Sequence, residues 1–448
     1  MEAALQQARK KGLIIGLGKT GLASARFLAR RGYAVAVTDN RAEPPALAAL
    51  KAELPDVALF VGGYSPDALA NADFVIVSPG VSSQEPFILR ARALGLPVCG
   101  DVELFAREAR APVVGITGTN GKSTVTTLLG LMAERAGRDV RFGGNIGTPV
   151  LDLLEEAEPD LYVLELSSFQ LETTDRLPLA AAVVLNVTPD HLDRYRNVDE
   201  YAAAKARIYY DAAVSVVNRD DSRVLAMAES KRRTIRFGLG APAADEYGII
   251  ETDTGGWLAR GSEKIMPTAE LKIRGRHNHA NALAALALGE AVDLPREAMI
   301  DILVDFRGLP HRMRFVTEAG GVAWYDDSKA TNVGAAVAAI VGADAPLVVI
   351  AGGDGKGQEF ADFARALAGR ARAVVLIGRD ADRIAAALED LVPYEHAAGM
   401  EDAVTRAAAL ARPGDWVLLA PACASFDMFA SYEARGDAFV AAVRRLAA

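Results

Sequence analysis

The chain is poor in cysteine: its 448 residues include two, Cys99 and Cys423, far apart and outside any CxxC pair. This excludes a disulfide framework and a cysteine-based zinc site, and fits a reducing compartment. A surplus of basic charge is also lacking. Lys and Arg number 49 against 58 Asp and Glu, a net charge of −9. An acidic surface offers no electrostatic footprint for nucleic acid or an anionic membrane. No apolar run approaches the roughly 18 residues that a membrane span needs. The opening MEAALQQARKKG has no apolar signal core, and short repeats and low-complexity tracts are absent. A cytoplasmic protein is expected, without nucleic-acid or membrane partners and with nothing that demands more than a monomer.

What is present is ample core and a regular rhythm. Half the residues are hydrophobic, and the length implies two or three domains. Apolar β-rich runs alternate with helical stretches in three blocks. Residues 1–101 carry LIIGLG, YAVAVTD, VALFVGG and DFVIVSPG. Residues 102–307 carry PVVGIT, LYVLELSS, AAVVLNVT and VSVVN, then a polar, β-prone patch at 238–274 and a helix that opens at HNHANALAA. Residues 308–448 carry VAWYDDS, PLVVIAGG, AVVLIGRD and DWVLLAPA. Such alternation predicts βαβ units and parallel sheets. Ligands of such sheets sit beyond the carboxyl ends of the strands.

Two glycine turns stand at strand ends. GITGTNGKST (115–124) follows the strand APVV and precedes a helix. It departs from GxxxxGK[ST], because Ile116 takes the first glycine position. Strand, glycine loop, Lys-Ser-Thr and helix nevertheless come in the order of a phosphate cradle. Backbone N–H groups would surround an anion, Lys122 would reach the outer phosphates and the Ser123 hydroxyl would meet Mg²⁺. The other turn, LIIGLGKTG, supplies Gly16, Gly18 and Gly21, with Asp39 ending the next strand. Alone it reads as a dinucleotide fingerprint and an NAD(P)-linked oxidoreductase. Position alone makes Glu165 a Mg²⁺ ligand or a strand-end surface carboxylate. His191 reads as a helix-start surface histidine, Lys205 as a solvated lysine, and His277, Asn278 and Asn281 as N-cap chemistry.

The loop GTNGKST resembles the ATP loop of the Mur ligase and folylpolyglutamate synthase superfamily. ELSSFQL, NVTPDHLDRY, YAAAKARIY, GRHNHANALAA, GLPHRM, DDSKATN, GGDGKG and LAPACASFD follow in the order of its D-glutamate-adding branch. DSKATN and PACASFD are the most specific pieces. Folylpolyglutamate synthases lack the N-terminal block, and a dehydrogenase leaves both of those pieces unexplained. A nucleotide-driven switch without turnover is the third alternative. The resemblance implies an α/β chain of three domains: a Rossmann-like N-terminal domain, a central P-loop ATPase-type sheet and a Rossmann-like C-terminal lid. It also implies an ATP-dependent amide ligase of peptidoglycan precursor synthesis that joins UDP-N-acetylmuramoyl-L-alanine and D-glutamate through an acyl phosphate.

The resemblance further implies the residues. Gly118, Thr119, Asn120, Gly121, Lys122, Ser123, Thr124, Asn281, Arg312 and Asp327 would hold ATP. Ser123, Glu165, His191 and a carbamylated Lys205 would hold two Mg²⁺ ions. Carbamylation needs the neutral amine, so the pKa of Lys205 must be depressed by burial or nearby positive charge. Gly18, Lys19, Thr20, Asp39, Asn40, Arg41, Ser78, Asn145 and His191 would bind the UDP substrate. Lys19 stands where relatives commonly have an apolar residue. Lys329, Thr331, Lys356, Ser425, Phe426 and Tyr432 would bind D-glutamate.

Overall fold

The computed structural model describes residues 10–155, 157–228, 233–273 and 275–447. Most of the N-terminal stretch read above as lacking an apolar core therefore lies outside the described residues. Three sheets follow one another along the chain. The first has five parallel strands in the spatial order Ala58–Val61, Ala34–Asp39, Lys11–Ile15, Phe74–Val77 and Val98–Cys99. Its order reverses between Lys11–Ile15 and Phe74–Val77, so a ligand crevice opens where the two chains leave the sheet in opposite directions.

The central sheet has nine strands among the described residues. Parallel pairing joins Val113–Thr117 to Leu161–Glu165 on one side and to Leu179–Val184 on the other. Val113–Thr117 and Leu161–Glu165 are buried throughout, as an inner strand covered on both faces requires. The polar patch forms three strands, Tyr247–Thr252, Gly255–Arg260 and Glu263–Pro267, paired antiparallel at the sheet edge. The helices Lys122–Arg135 and Arg276–Ala291 pack together against one face. The alanines and leucines of 282–288 are wholly buried there.

The third sheet has the order Arg314–Ala319, Val322–Asp326, Trp416–Leu419, Leu347–Gly352, Ala371–Ile377 and Tyr394–His396. Its first pair is antiparallel and the others are parallel. Each sheet has its own apolar core, and the first and central sheets share one. Residues beside the third sheet reach the phosphate loop, and loops of the first sheet reach other loops of the central domain.

Candidate active site

The strand Val113–Thr117 runs into Gly118, and the helix Lys122–Arg135 starts behind Gly121. Gly121 has φ +86°, and a Cβ there would sit 2.4 Å from the Asn281 Oδ1 atom. Only glycine allows this turn and this approach together. Its loop is fastened to the neighbouring strand end: Thr119 N donates to Asn186 O at 2.9 Å, and Asn120 N to Asn186 Oδ1 at 2.8 Å. Lys122 folds over the loop, donating from Nζ to the Gly118 and Thr119 carbonyls, both at 2.8 Å. Burial lowers its pKa, with Arg312 and Lys356 acting in the same direction. Thr124 and Asn281 line the adjoining cavity with Asn186, His277, Asn278, Arg312 and Asp327.

The N-cap reading of the asparagines does not hold. Gly275, which has no side chain, takes the cap position of this helix. Asn278 and Asn281 are instead buried on the face turned to the loop, where Asn281 Nδ2 donates to Asn278 Oδ1 at 3.1 Å.

Glu165 ends its strand almost fully buried. Its Oε1 accepts from Asn145 Nδ2 at 2.8 Å, while its buried Oε2 has no hydrogen-bond partner among the described residues. His191 lies in a turn with φ +55° rather than at a helix start. Its ring stands edge-on to Phe169 at 4.8 Å, and burial lowers its pKa, which favours the neutral ring. Lys205 overturns the solvated reading: it is 1 % exposed. Its Nζ donates to Gly118 O at 3.0 Å and lies 4.3 Å over the Tyr201 ring. Burial and then the Lys122 charge push its pKa well below the usual lysine value. Among the described residues, no three His, Cys, Asp or Glu side chains gather into a metal cage.

The third sheet sends residues back onto this loop. Arg312 Nη2 donates to Ser123 Oγ at 3.1 Å. Asp327 accepts from Met313 N at 3.1 Å; burial pushes its pKa up to about 8, against the opposing charge of Arg312. Lys329 Nζ lies 3.6 Å over the Tyr432 ring, and burial lowers its pKa to about 8. Thr331 N donates to Lys329 O. Lys356 Nζ is 4.0 Å from Asp190 Oδ1. Ser425 is buried, whereas Phe426 is 74 % exposed, so the structure does not gather it with the others.

Three residues here escaped the sequence reading. Asn332 caps the helix Val333–Val341 and also donates from Nδ2 to Asp190 Oδ2 at 3.1 Å. Asp190 therefore receives two third-domain side chains; its position next to His191 was the available signal. Arg435, 1 % exposed, donates to Ser328 O at 2.8 Å and Cys423 O at 3.1 Å. It ties DDSKATN to PACASFD from a helix whose sequence gives no hint of it.

In the first domain, Ser78 Oγ donates to Gly16 O at 2.6 Å. Asp39 accepts from Leu17 N at 2.7 Å and from Arg41 Nη2 at 2.7 Å. Burial opposes its charge, but hydrogen bonds from Arg41 and the backbone outweigh it and keep its pKa low. Asp39 and Ser78 thus brace the glycine turn. Gly18 precedes the helix Lys19–Arg30, and a Cβ on it would meet no atom of the described residues within 4 Å. Thr20 is half-buried and Asn40 is exposed. Lys19 Nζ donates to Gly147 O of the central domain. Asn145 stands two residues before that carbonyl, with its amide on Glu165, so one loop of the central domain meets both Lys19 and Glu165.

Comparison with known proteins matches three domain families in register with the sheets. They are the Mur ligase MurD-like N-terminal domain over residues 10–100, the Mur ligase middle domain over 116–289 and the Mur ligase glutamate ligase domain over 311–423. The chain is 56 % identical to the UDP-N-acetylmuramoylalanine--D-glutamate ligase of Nitrosococcus oceani, over 98 % of each chain. It is 52 % identical to the Pseudomonas aeruginosa ligase of the same name, over 97 % of this chain and 98 % of that one. Among solved structures, the UDP-N-acetylmuramate-alanine ligase of Thermotoga maritima superposes with a TM-score of 0.61 at 20 % identity, covering 97 % of this chain and 99 % of that one. A pseudomurein peptide ligase type C from Methanothermus fervidus gives 0.60 at 18 % identity, covering 98 % and 100 %. These two likenesses concern the fold, a three-domain α/β architecture. With near-full-length relatives above half identity and all three domain families in order, the chain belongs to the Mur ligase family.

Proposed function

We propose that this chain is an ATP-dependent ligase that joins D-glutamate to the L-alanine carboxyl of UDP-N-acetylmuramoyl-L-alanine. The observation that carries the reading is the convergence of third-domain side chains on the phosphate loop. Arg312 reaches Ser123, Asn332 reaches the Asp190 beside His191, and Lys329 and Lys356 follow from the same sheet. Amide formation in water needs such an enclosure, because an acyl phosphate open to solvent is hydrolysed.

The residues have separable roles. The backbone of Gly118–Thr124, Lys122 and Arg312 would surround the phosphates of ATP, with the positive end of the helix Lys122–Arg135 behind them. The L-alanine carboxylate takes the γ-phosphoryl group. The amine of D-glutamate then attacks the carbonyl carbon, and inorganic phosphate leaves. Lys122 and Arg312 stabilise charge on the transferring group. Lys329, Thr331, Lys356, Ser425 and Tyr432 are proposed to receive D-glutamate, with the two lysines meeting its carboxylates. Phe426 would have to move to join them. The glycine turn at 16–21, with Lys19, Thr20, Asn40 and Arg41, would hold the UDP handle.

The residues present also fit Mg²⁺. Glu165 Oε2 is a buried carboxylate oxygen without a hydrogen-bond partner among the described residues, a demanding state unless a cation or donor meets it. Ser123, Glu165, His191 and a carbamylated Lys205 would hold two ions, and phosphate oxygens would complete their shells. Bound there, Mg²⁺ would neutralise phosphate charge. Burial and Lys122 favour the uncharged amine of Lys205, the form that attacks CO₂. His191, kept neutral by burial, is suited either to ligation or to accepting the amine proton. A monomer in the cytoplasm fits this role. No helix among the described residues is long and apolar enough to cross a membrane.

The test is phosphate release from ATP with the two substrates supplied singly and together, and mass spectrometry of the product. Release only with both, and a product heavier by one glutamate residue, is expected. Equal ATP hydrolysis without them, and no such product, would overturn the reading.

A further inference from the structure

A short helix, Ser168–Glu172, sits between the first domain and His191. A capping box opens it: Ser167 Oγ accepts from Gln170 N, and the Gln170 side chain accepts from Ser167 N. The other end of that amide, Nε2, donates to the buried Asp101 carboxylate at 3.1 Å. The helix is therefore fixed before its last residue, Glu172, makes any contact.

Glu172 accepts three hydrogen bonds: from Ser83 Oγ at 2.9 Å, from Arg194 Nη2 at 2.9 Å and from the Tyr195 hydroxyl. The Glu172 and Arg194 side chains are 14 % and 10 % exposed. Arg194 Nη1 also donates to Pro79 O at 2.7 Å, in the loop that leaves the first sheet directly behind Ser78. The same guanidinium lies 3.9 Å over the Phe169 ring, and Phe169 is the ring that stands edge-on to His191. One side chain thus touches the loop behind the glycine turn on one side and the support of His191 on the other.

We propose that Arg194 and Glu172 are positioning residues that set the distance between the UDP handle and the reacting carboxylate of one substrate. This rests on the ligase reading above. The acceptor must lie with its nucleotide in the first-domain crevice and its L-alanine carboxylate near Glu165 and His191, so both ends are gripped by groups that this ion pair joins. A largely buried guanidinium that bonds the Glu172 carboxylate through Nη2 and the Pro79 carbonyl through Nη1 spans the two sides with one planar group and holds such a register better than apolar packing does. A displacement of about 1 Å at reacting atoms costs roughly 10²-fold in rate.

The experiment is steady-state kinetics of the full chain, varying each substrate separately. Arg194→Lys keeps the charge and loses the fork. It should raise KM for UDP-N-acetylmuramoyl-L-alanine about tenfold or more and lower kcat, with KM for ATP and D-glutamate within twofold. Ser83→Ala removes only the first-domain hydroxyl on Glu172 and should raise the same KM about threefold; it decides the matter if Arg194→Lys fails to fold. An acceptor KM within twofold of wild type in the folded variants overturns the inference. So does a parallel rise in the ATP and acceptor KM values, the mark of a general structural loss. Wild-type protein that forms no product from the two substrates overturns the ligase reading and this inference with it. Product from the wild type with an unmoved acceptor KM overturns this inference alone.

Discussion

Arg312, at the entrance to the third domain, donates through Nη2 to the Ser123 hydroxyl of the phosphate loop at 3.1 Å. The bond joins the first turn of the helix behind the loop to a segment 189 residues later. It brings a fixed cation to the place where phosphate charge would develop. Arg312→Ala should therefore lower kcat/KM for ATP by about 10²–10³-fold, roughly 3–4 kcal/mol of transition-state stabilisation. Arg312→Lys should restore little, because an ammonium lacks the planar fork. Binding of the UDP substrate, followed by calorimetry, should not change. A kcat/KM within threefold of wild type in Arg312→Ala would remove this residue from the site.

Lys205 is a lysine whose surroundings disfavour its charge. Lys205→Ala should lose activity about 100-fold or more, comparable to the loss of a supporting metal-site group. Formate or acetate should recover part of it by standing in for the carbamate. Wild-type protein supplied with ¹³C-bicarbonate should show a carbamate carbon signal that the variant lacks. An active Lys205→Ala enzyme would show that this side chain serves only packing.

Lys329 gives a pH dependence. Burial lowers its pKa to about 8, against about 10.4 for an unfolded lysine. Below that folded value it is charged and can meet a carboxylate; above it the charge is lost. KM for D-glutamate should rise as pH climbs through about 8, and in Lys329→Arg it should stay flat across the same range. Between about pH 8 and 10.4 the unfolded chain binds the additional proton, so this group makes the free protein more stable as pH rises. Urea titration of wild type against Lys329→Arg reads that slope. A D-glutamate KM that stays flat in the wild type would separate Lys329 from the amino acid.

Two glycines with similar sequence contexts should respond differently. Gly121 has φ +86° and its missing Cβ would lie 2.4 Å from Asn281 Oδ1. Gly121→Ala should cost about 1–3 kcal/mol in stability and weaken ATP binding. Gly18 has φ −98° and free space where a Cβ would stand, so Gly18→Ala should fall within about 0.5 kcal/mol of wild type. Thermal unfolding of the two variants compares them directly. Equal destabilisation would contradict the backbone argument.

Much of the architecture was legible in the sequence because its signals are local. Apolar runs such as PVVGIT and LYVLE identify inner strands, and the turn residues behind them mark where ligands belong. The phosphate loop was readable for the same reason: glycines, Lys122 and Ser123 act within one turn of the chain. The edge strands at 247–267 were visible only as a β-prone patch, since their pairing depends on a hairpin register that composition does not specify.

The side-chain states were not legible. Lys205 has the sequence surroundings of a surface lysine, and its burial arises because the phosphate loop, with Gly118 and Lys122, closes over it while Tyr201 of its own helix lies beneath its amine. Asn332 reads as a helix cap and is one, yet its amide also reaches Asp190, 142 residues away. Sequence by itself determined the three α/β blocks, the two glycine turns and the order of the motifs, because backbone preference and hydrophobic periodicity act over a few residues. Only the tertiary structure decided which charges are suppressed, which carboxylate oxygen of Glu165 is left without a partner among the described residues and which loops of the three sheets face one another. Desolvation and Coulomb interaction depend on distance in space, and the fold sets that distance between residues far apart in the chain.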